Sequence, residues 1–216
     1  MTTASPRAIA VLGGAGALGS GLTARLAHAG HRVIVGSRDT ARASQAVKGL
    51  AGDISVADYA DAAAQADIAF LTVPFAAAAA VLNQVAGAMA GKILVDATVP
   101  LVPPRVGRVQ LPVEGSAALI AQEILGEHVR VVSALQNVGA LHLQHLNQAV
   151  DCDVLVCGDA VDARTQVIEL LDEIGLRGLH AGPLANAAAA EALTSVLISI
   201  NRFYKSDRAG IRITGI

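Results

Sequence analysis

Residues 8–22 read AIAVLGGAGALGSGL, and this stretch decides the fold. It opens with five apolar residues, a length that suits a buried strand, and its later part favours a helix. The glycines between them have the G-x-G-x-x-G spacing of a dinucleotide site: Gly14 for the tight turn, Gly16 for backbone contact with a pyrophosphate, and Gly19 for close helix packing. The strand before the motif and the helix after it predict a cofactor-binding turn. That turn comprises Gly14, Ala15, Gly16, Ala17, Leu18 and Gly19.

The composition excludes several classes of protein. Of 216 residues, 53% are hydrophobic and 16% are charged, which favours a sizeable folded core over disorder. Only 2% are aromatic, so we expect a core of Ala, Val, Leu and Ile, as in parallel sheets that are buried on both faces. Sixteen basic residues against 18 acidic ones leave no excess positive charge for a phosphate backbone, and nucleic acid is not an expected partner.

Cysteine usage and the distribution of apolar segments indicate the compartment. Cys152 and Cys157 are five residues apart, which points them to opposite faces of one strand and makes a disulfide or a metal pair unexpected. We therefore expect a reducing cytoplasm. The first residues, MTTASPRA, lack the apolar core of an export signal. Residues 68–91 carry no charge, but Pro74 interrupts them, so we predict a strand, a loop and a helix there and no membrane partner.

Apolar strands alternate with helices along the chain. Repeated β-α-β units with short loops predict a Rossmann-type, doubly wound parallel sheet with right-handed crossovers, followed by a second, smaller α/β domain. We expect residues 1–130 to form the first domain and residues 131–216 the second. The predicted strands are 8–12, 32–36, 53–55, 68–73, 93–96, 129–134, 154–157 and a short one near 179. The predicted helices are 17–29, 40–50, a short one ending near 65, one after Phe75, 116–125, 163–174 and 186–203.

The second predicted strand ends without the acidic residue that usually binds the ribose 2′-hydroxyl of NAD. The chain has Ser37 and Arg38 there, and Arg42 follows one helical turn later. A hydroxyl and guanidinium groups receive a 2′-phosphate, which an acid would repel. This pattern predicts NADP(H) as the cofactor. The alternative interpretation is that both arginines are solvated surface charges.

Three further segments follow predicted strands and should open onto the same crevice. Thr72, Val73 and Pro74 are expected to flank the adenosine or its ribose. Asp96 either takes part in catalysis or caps its strand. The polar loop within 133–140, SALQNVGA, carries amide and backbone groups that could hold a nicotinamide carboxamide. His142 and His145 fit an exposed helical pair better than metal ligands, and no metal site is predicted.

Six blocks of sequence carry a family resemblance, which covers nearly the whole chain. The chain resembles the coenzyme F420-dependent NADP reductases, which pass hydride between NADP(H) and a deazaflavin. The blocks are VLGGAGALGSGLTARLAHAGHRVIVGSRD, LTVP, VVSAL, DVLVCGD, AGPLANAAAAEALTSVLISINR and GIRITGI.

The resemblance implies a reaction and a site. It implies that coenzyme F420 is the co-substrate, that residues 131–216 complete the deazaflavin cleft and the dimer interface, and that the protein is a homodimer. It implies that Ser37, Arg38 and Arg42 hold the 2′-phosphate. It implies that the loop positions the two rings, without an acid or a base in contact with the hydride. The loop residues concerned are Gln136, Asn137, Val138, Gly139 and Ala140, with Val138 at an aliphatic contact and Ala140 offering backbone to the carboxamide.

Two departures from the family pattern leave alternatives open. Gln136 stands where the family commonly has His, and an amide cannot carry the proton or positive charge of an imidazolium. Ala15 stands where Thr is frequent, which removes one hydroxyl partner for the cofactor. A reductase of a small imine or carbonyl therefore remains an alternative, as does a non-catalytic NADPH sensor. The metalloreductase domain that shares this fold is not expected, because no transmembrane segment accompanies it.

The 2′-phosphate assignment makes a direct prediction for Arg38→Glu. We expect this substitution to raise KM for NADPH far more than KM for NADH, because the new carboxylate repels a phosphate that only NADPH carries. Steady-state kinetics with each cofactor measure both constants. Equal effects on the two cofactors would contradict the assignment.

Overall fold

A computed structural model describes residues 6–146 and 148–216. Part of the sequence on which the expected absence of an export signal rests, residues 1–5, lies outside the described residues. The strands are β1 (Ala8–Leu12), β2 (Arg32–Gly36), β3 (Ile54–Ala57), β4 (Ile68–Leu71), β5 (Ile93–Asp96), β6 (Arg130–Ser133), β7 (Asp153–Gly158) and β8 (Arg177–His180). The helices are α1 (Ala17–His28), α2 (Thr40–Val47), α3 (Tyr59–Ala64), α4 (Phe75–Val85), α5 (Ala117–Leu125), α6 (Ala140–Gln144), α7 (Val161–Glu173) and α8 (Ala187–Tyr204).

The strands form one sheet in the order β3-β2-β1-β4-β5-β6-β7-β8. Every pairing from β3 to β6 is parallel, which confirms the doubly wound arrangement predicted from the alternating pattern. β6 pairs with β5 along its whole length, from Arg130 opposite Ile93 to Ser133 opposite Asp96. The sheet therefore continues across residue 130, and the chain segments on either side of that residue share it.

Strand β7 departs from the parallel arrangement, because it runs antiparallel to β6. The connection between them carries the five-residue helix α6. The pairing joins Val132 to Gly158 and Ser133 to Cys157 only. Most of β7 consequently extends beyond the carboxyl end of β6, and β8 pairs with it in parallel.

Two apolar clusters cover the two faces of the sheet. Ile9 and Val11 of β1 belong to a cluster with α1 and α7, whereas the intervening residues of β1 face α3, α4 and α5. This alternation is the period-two pattern of a strand buried on both sides. Cys152 lies in the first cluster and Cys157 in the second, so the two side chains face opposite sides of the sheet, as their odd spacing predicts. Both are buried free thiols.

The C-terminal residues pack along β7. The N–H of Asp153 donates to the carbonyl of Ile211 at 2.8 Å, and the N–H of Ile213 donates to Asp153 Oδ2 at 2.6 Å. The buried Asp153 carboxylate also lies 3.2 Å from Arg177 Nε and 3.6 Å from Arg212 Nη1. Because an unpaired buried charge is costly, these partners make Asp153 the point that ties the C-terminal segment to the sheet.

The last helix, α8, is apolar on its exposed side as well as on its buried side. The segment Leu184–Tyr204 is long and apolar enough to cross a membrane by length and composition alone, a test that helices in protein cores also pass. One side of α8 carries the buried Glu191 and Leu197. The other side exposes an apolar stripe at helical spacing, formed by Val196, Ile200, Phe203 and Tyr204.

The arrangement around Asp153 predicts a large effect on stability for Asp153→Asn. We expect the free energy of unfolding to fall by about 2–3 kcal/mol, because two arginines lose their buried counter-charge. Chemical denaturation measures the change. Asp151→Asn is the matched control, since Asp151 also lies near Arg212, at 3.3 Å, but its side chain is 86% exposed. A similar loss in both variants would contradict the assigned role of Asp153.

Candidate functional site

The sheet topology creates a crevice beside β1. The chain leaves β1 to form β2 on one side, and β4 later pairs with the other side of β1. In open α/β sheets, ligands bind outside the carboxyl ends of the strands at such a switch point. The segments that follow β1, β2, β4 and β6 open onto this edge.

The turn after β1 packs closely against neighbouring segments of the chain. Gly13 has φ +91°, and its N–H donates to the carbonyl of Gly36 at the end of β2, at 2.9 Å. The left-handed residue of the turn is therefore Gly13 rather than Gly14, to which the motif assigns the turn. Gly14 lies in a tight space, because a Cβ there would lie 3.0 Å from Val35 Cγ1 and 3.1 Å from the carbonyl oxygen of Val11.

Gly19 brings α1 onto this turn. A Cβ on Gly19 would lie 2.5 Å from the carbonyl oxygen of Gly13 and 2.8 Å from Thr72 Oγ1, so only glycine fits. This is the packing role that the third motif glycine predicts. The same contact brings the glycine turn next to the segment that follows β4.

The N-terminus of α1 suits an anion. Its N-cap is Gly16, and no side-chain cap is present among the described residues. The same holds for α4, α6, α7 and α8, whereas α2, α3 and α5 are capped by the side chains of Asp39, Asp58 and Ser116. The first N–H groups of α1 and the positive end of its dipole therefore fit a cofactor pyrophosphate, with no side chain between Ala15 and Leu18 large enough to cover them.

Two free guanidinium groups lie beside the turn. Arg38 and Arg42 are exposed, and within residues 6–146 and 148–216 neither side chain has a hydrogen-bond or ion-pair partner. The one carboxylate between them, Asp39, accepts a hydrogen bond from the N–H of Arg42 at 2.9 Å and so caps α2. The hydroxyl of Ser37 accepts from the N–H of Asp39 at 3.1 Å. This arrangement leaves both arginines available to a phosphate.

The segment 72–74 contacts the glycine turn, as its predicted position requires. The N–H and the hydroxyl of Thr72 both donate to the carbonyl of Leu12, each at 2.9 Å. Val73 is buried, and its Cγ1 would lie 2.8 Å from a Cβ on Gly13. Pro74 is exposed as the N-cap of α4. The structure thus brings the two predicted segments together.

The loop after β6 begins with a strained residue. Leu135 has φ +77° although it is not glycine and is only 2% exposed. Such a conformation costs on the order of 1–3 kcal/mol and persists only where the surroundings impose it. The N–H of Val138 donates back to the carbonyl of Leu135 at 3.2 Å, which closes a turn and redirects the chain toward the crevice.

The amide side chains of the loop point into the protein. Gln136 Nε2 donates to the carbonyl of Asp96 at 2.8 Å and to Ser133 Oγ at 2.9 Å, and so links the ends of β5 and β6. Asn137 Nδ2 donates to the carbonyl of Ala190 in α8 at 2.8 Å. Buried amides need such partners, so these donors are occupied within the described residues.

The exposed part of the loop is its last two residues. Val138 is 7% exposed and belongs to the core cluster that includes Leu143, whereas Gly139 and Ala140 are half-buried at the start of α6. Sequence reasoning missed Thr194, whose hydroxyl donates to the carbonyl of Gln136 at 2.8 Å and holds the loop from α8. A lone threonine in an apolar helix gives no signal of such a distant contact.

Two buried acids lie behind the crevice. Asp96 Oδ1 accepts from the N–H of Thr98 at 2.8 Å, which supports the capping interpretation of this residue, and burial raises its pKa to about 6. Glu191 accepts from the N–H groups of Ala117 and Ala118 at 2.7 and 3.2 Å, at the start of α5. Burial raises the pKa of Glu191 to about 7, and the charge of Asp96 adds to the shift. A single acid among the alanines of α8 was the available signal for Glu191.

The histidines predicted to be an exposed pair lie at α6. The backbone carbonyls of His142 and His145 accept hydrogen bonds from Arg25, at 3.1 and 2.9 Å. Over residues 6–146 and 148–216, no three His, Cys, Asp or Glu side chains are grouped closely enough to hold a metal ion.

The uncapped helix after a glycine turn, set at the switch point of a doubly wound sheet, defines a dinucleotide-binding α/β protein of the Rossmann class. Residues 8–100 match the family model described as NADP oxidoreductase coenzyme F420-dependent. The chain is 38% identical to the F420-dependent NADP reductase of Methanocaldococcus jannaschii, over 96% of this chain and 98% of that protein. It is 42% identical to the enzyme of that name from Methanothermobacter thermautotrophicus, over 96% and 95% of the two chains.

A solved structure has the same architecture. The crystal structure of an Arthrobacter sp. FB24 protein, described as an F420-dependent NADP reductase, superposes with a TM-score of 0.84 at 29% identity. The likeness covers 97% of this chain and 100% of that chain. The chain belongs to the family of F420-dependent NADP reductases.

The burial of Glu191 predicts a pH effect on stability. Its carboxyl ionises near pH 4.5 in the unfolded chain and near 7 in the folded protein, so the folded state binds more protons between these values and loses stability as pH rises through them. We expect Glu191→Gln to reduce the loss of stability between pH 5 and pH 8 by on the order of 2–3 kcal/mol. Chemical denaturation at pH 5 and at pH 8 measures the free energy of unfolding. Glu127→Gln, at an exposed position, is the control. An unchanged loss in Glu191→Gln would contradict the assignment.

Proposed function

We propose that this protein transfers a hydride between NADP(H) and the deazaflavin coenzyme F420. The crevice supports this proposal most directly. It combines an uncapped α1 after a glycine turn with the free guanidinium groups of Arg38 and Arg42, and the chain belongs to this family. The first feature accommodates a pyrophosphate and the second accommodates a 2′-phosphate.

The nucleotide half of the site follows from these contacts. The N–H groups at the start of α1, with the turn residues 14–19, hold the pyrophosphate. Ser37, Arg38 and Arg42 hold the 2′-phosphate: Ser37 offers a hydroxyl, and the positive charge of the two arginines is not neutralised by any carboxylate of the described residues. Thr72, Val73 and Pro74 flank the adenosine ribose, since they follow β4 directly beside the glycine turn.

The part of the site that receives the nicotinamide and deazaflavin rings lies at the loop after β6. Gly139 and Ala140 present backbone groups to the nicotinamide carboxamide, because the loop side chains before them are turned inward. Gln136 and Asn137 position this backbone from behind. Val138, which the resemblance places at an aliphatic contact with the ring, is buried in the core cluster, and we assign it the same supporting role. Residues 131–216 complete the deazaflavin cleft, since β7 extends past the carboxyl edge of β6. The two proposed domains therefore share one sheet: residues 1–130 bind the nucleotide, and residues 131–216 complete the deazaflavin cleft.

The chemistry requires little of the side chains. Bound NADPH supplies the hydride and the deazaflavin accepts it. The residues of the loop and of the glycine turn orient the two rings and exclude water, which favours a near-attack geometry. We assign no protein acid or base to the transfer. The buried acids Asp96 and Glu191 instead bind backbone N–H groups and so support the fold around the crevice.

Gln136 supports a second candidate function. Its side-chain nitrogen is fully occupied by Asp96 and Ser133, so it offers the acceptor neither the charge nor the proton of an imidazolium. A smaller organic acceptor, such as an imine or a carbonyl compound, is the alternative that this difference favours. A non-catalytic NADPH sensor would bind NADPH and turn over neither acceptor.

We further propose a cytoplasmic homodimer. The apolar stripe of α8 exposes 80% of Phe203 and 73% of Tyr204, and contiguous apolar surface of this kind marks protein contacts. The loop that packs on α8 adds Val109 and Val113, and the hydroxyl of Ser199 joins helix and loop by donating to the carbonyl of Gly107 at 2.8 Å. A second copy of the chain would cover this apolar surface.

Turnover tests the proposed function. With oxidised deazaflavin in excess of the protein, we expect NADPH to bleach its absorbance and NADH to do so at least about tenfold less efficiently, since NADH lacks the phosphate that binds two arginines. Stopped-flow absorbance follows the reaction. Tight NADPH binding without bleaching would contradict the proposal, and oxidation of NADPH by an imine or a carbonyl compound would then identify the alternative acceptor.

The dimer proposal predicts a change of mass in solution. We expect the wild-type protein to sediment at twice the mass of one chain and Phe203→Glu to sediment as a monomer, because a carboxylate would be buried unpaired in the interface. Analytical ultracentrifugation measures both. Val161→Glu, at an exposed apolar residue of α7, should leave the dimer intact. A monomeric wild-type protein would contradict the proposed interface.

A further inference from the structure

Arg25 lies on α1 and is buried, with only 6% of its surface exposed. Burial lowers its pKa, and no carboxylate of the described residues pairs with it. Its guanidinium donates instead to five backbone carbonyl oxygens. They belong to Leu143 (3.0 Å from Nε), Ile174 (2.9 Å from Nη1), and His142, His145 and Gln148 (3.1, 2.9 and 3.1 Å from Nη2).

Four of these five carbonyls belong to α6 or to the turn after it. A helix leaves its last four carbonyls without partners inside the helix. Because α6 has only five residues, most of its carbonyls need a partner from elsewhere. A helix this short has little stability of its own. A guanidinium offers five N–H groups in a rigid planar fork, and its positive charge suits the negative end of the α6 dipole. Arg25 therefore holds α6 in place.

Two further contacts fix α6 against α1. A Cβ on Gly21 would lie 2.7 Å from Leu143 Cβ, so the two helices touch at backbone distance. Gln144 Nε2 donates to the carbonyl of Ala17, the first residue of α1, at 3.2 Å. The helix that offers its N-terminus to the pyrophosphate is thus joined directly to the helix that begins at the ring-binding loop.

We propose that Arg25 is a positioning residue for hydride transfer, which sets the ring-binding loop relative to the pyrophosphate end of α1. α6 begins at Ala140, immediately after its N-cap Gly139, so a shift of α6 moves the backbone that we assign to the carboxamide. Gln136, Asn137 and Thr194 hold the start of the loop, and Arg25 holds its end. The kinetic part of this inference rests on the proposed function, whereas the anchoring of α6 does not.

Arg25→Lys and Arg25→Met test the proposal. A lysine keeps the charge but cannot span five carbonyls, and a methionine keeps the volume but leaves them unbonded. We expect the single-turnover rate of hydride transfer to fall on the order of 100-fold in Arg25→Met and less in Arg25→Lys, with Kd for NADPH within about threefold of wild type. Met89→Ala, at a buried position four residues before β5, controls for loss of stability.

Gly21→Ala provides a second variant that leaves Arg25 unchanged. Alanine favours the helix of α1, but its Cβ would press on Leu143 and displace α6. We expect about tenfold slower hydride transfer or more with unaltered NADPH affinity. This variant keeps the proposal testable if an Arg25 variant does not fold.

Amide hydrogen exchange separates the proposal from the proposed function. We expect faster exchange at residues 140–146 in both Arg25 variants and in Gly21→Ala, and no change there in Met89→Ala. Unchanged exchange at these residues would overturn the anchor. Rate and NADPH affinity falling together, as a merely structural role would produce, would overturn the positioning role. If the wild type does not reduce deazaflavin while the variants still open α6, the proposed function fails and the anchor stands.

Discussion

The close approach of α1 to the end of β1 is the constraint on which the site depends. Gly19 touches the carbonyl of Gly13 and the hydroxyl of Thr72 at distances that exclude any side chain. This contact sets the start of α1 close to the turn, and because the N-cap is Gly16, the first N–H groups of the helix have no side-chain cap. A larger residue at position 19 would lift the helix from the sheet and displace the segment after β4. One steric requirement thus fixes both the turn that we propose for the pyrophosphate and the segment beside it.

The ring half of the crevice depends on a different kind of restraint. Its loop contains a left-handed leucine and is held by side chains that reach it from behind: Gln136 from within, Thr194 from α8 and Arg25 through α6. All of these bonds end on backbone groups or on buried hydroxyls. The protein therefore shapes the position of main-chain atoms rather than presenting reactive side chains, which suits a reaction whose chemistry resides in the cofactors.

Local patterns in the sequence predicted most of the fold. The alternation of apolar strands and helices predicted the parallel arrangement of β1 to β6, although not the order of the strands, and the G-x-G-x-x-G spacing predicted the location of the turn. The antiparallel direction of β7 was not predictable, because a buried strand has the same apolar pattern in either direction. The roles of Arg25 and Gln136 were hidden for a similar reason. Arginine and glutamine are usually exposed, and only tertiary contacts show that these two are buried and bonded.

In the proposed reaction, NADPH and the deazaflavin lie face to face in one crevice and exchange a hydride directly. Mass spectrometry of the reduced deazaflavin after reaction with NADPH deuterated at one face of nicotinamide C4 tests it. Direct transfer predicts that deuterium from one face is retained in full in the product, even in ordinary water, and that deuterium from the other face stays on NADP. Loss of the label to solvent, or transfer from both faces, would contradict the account.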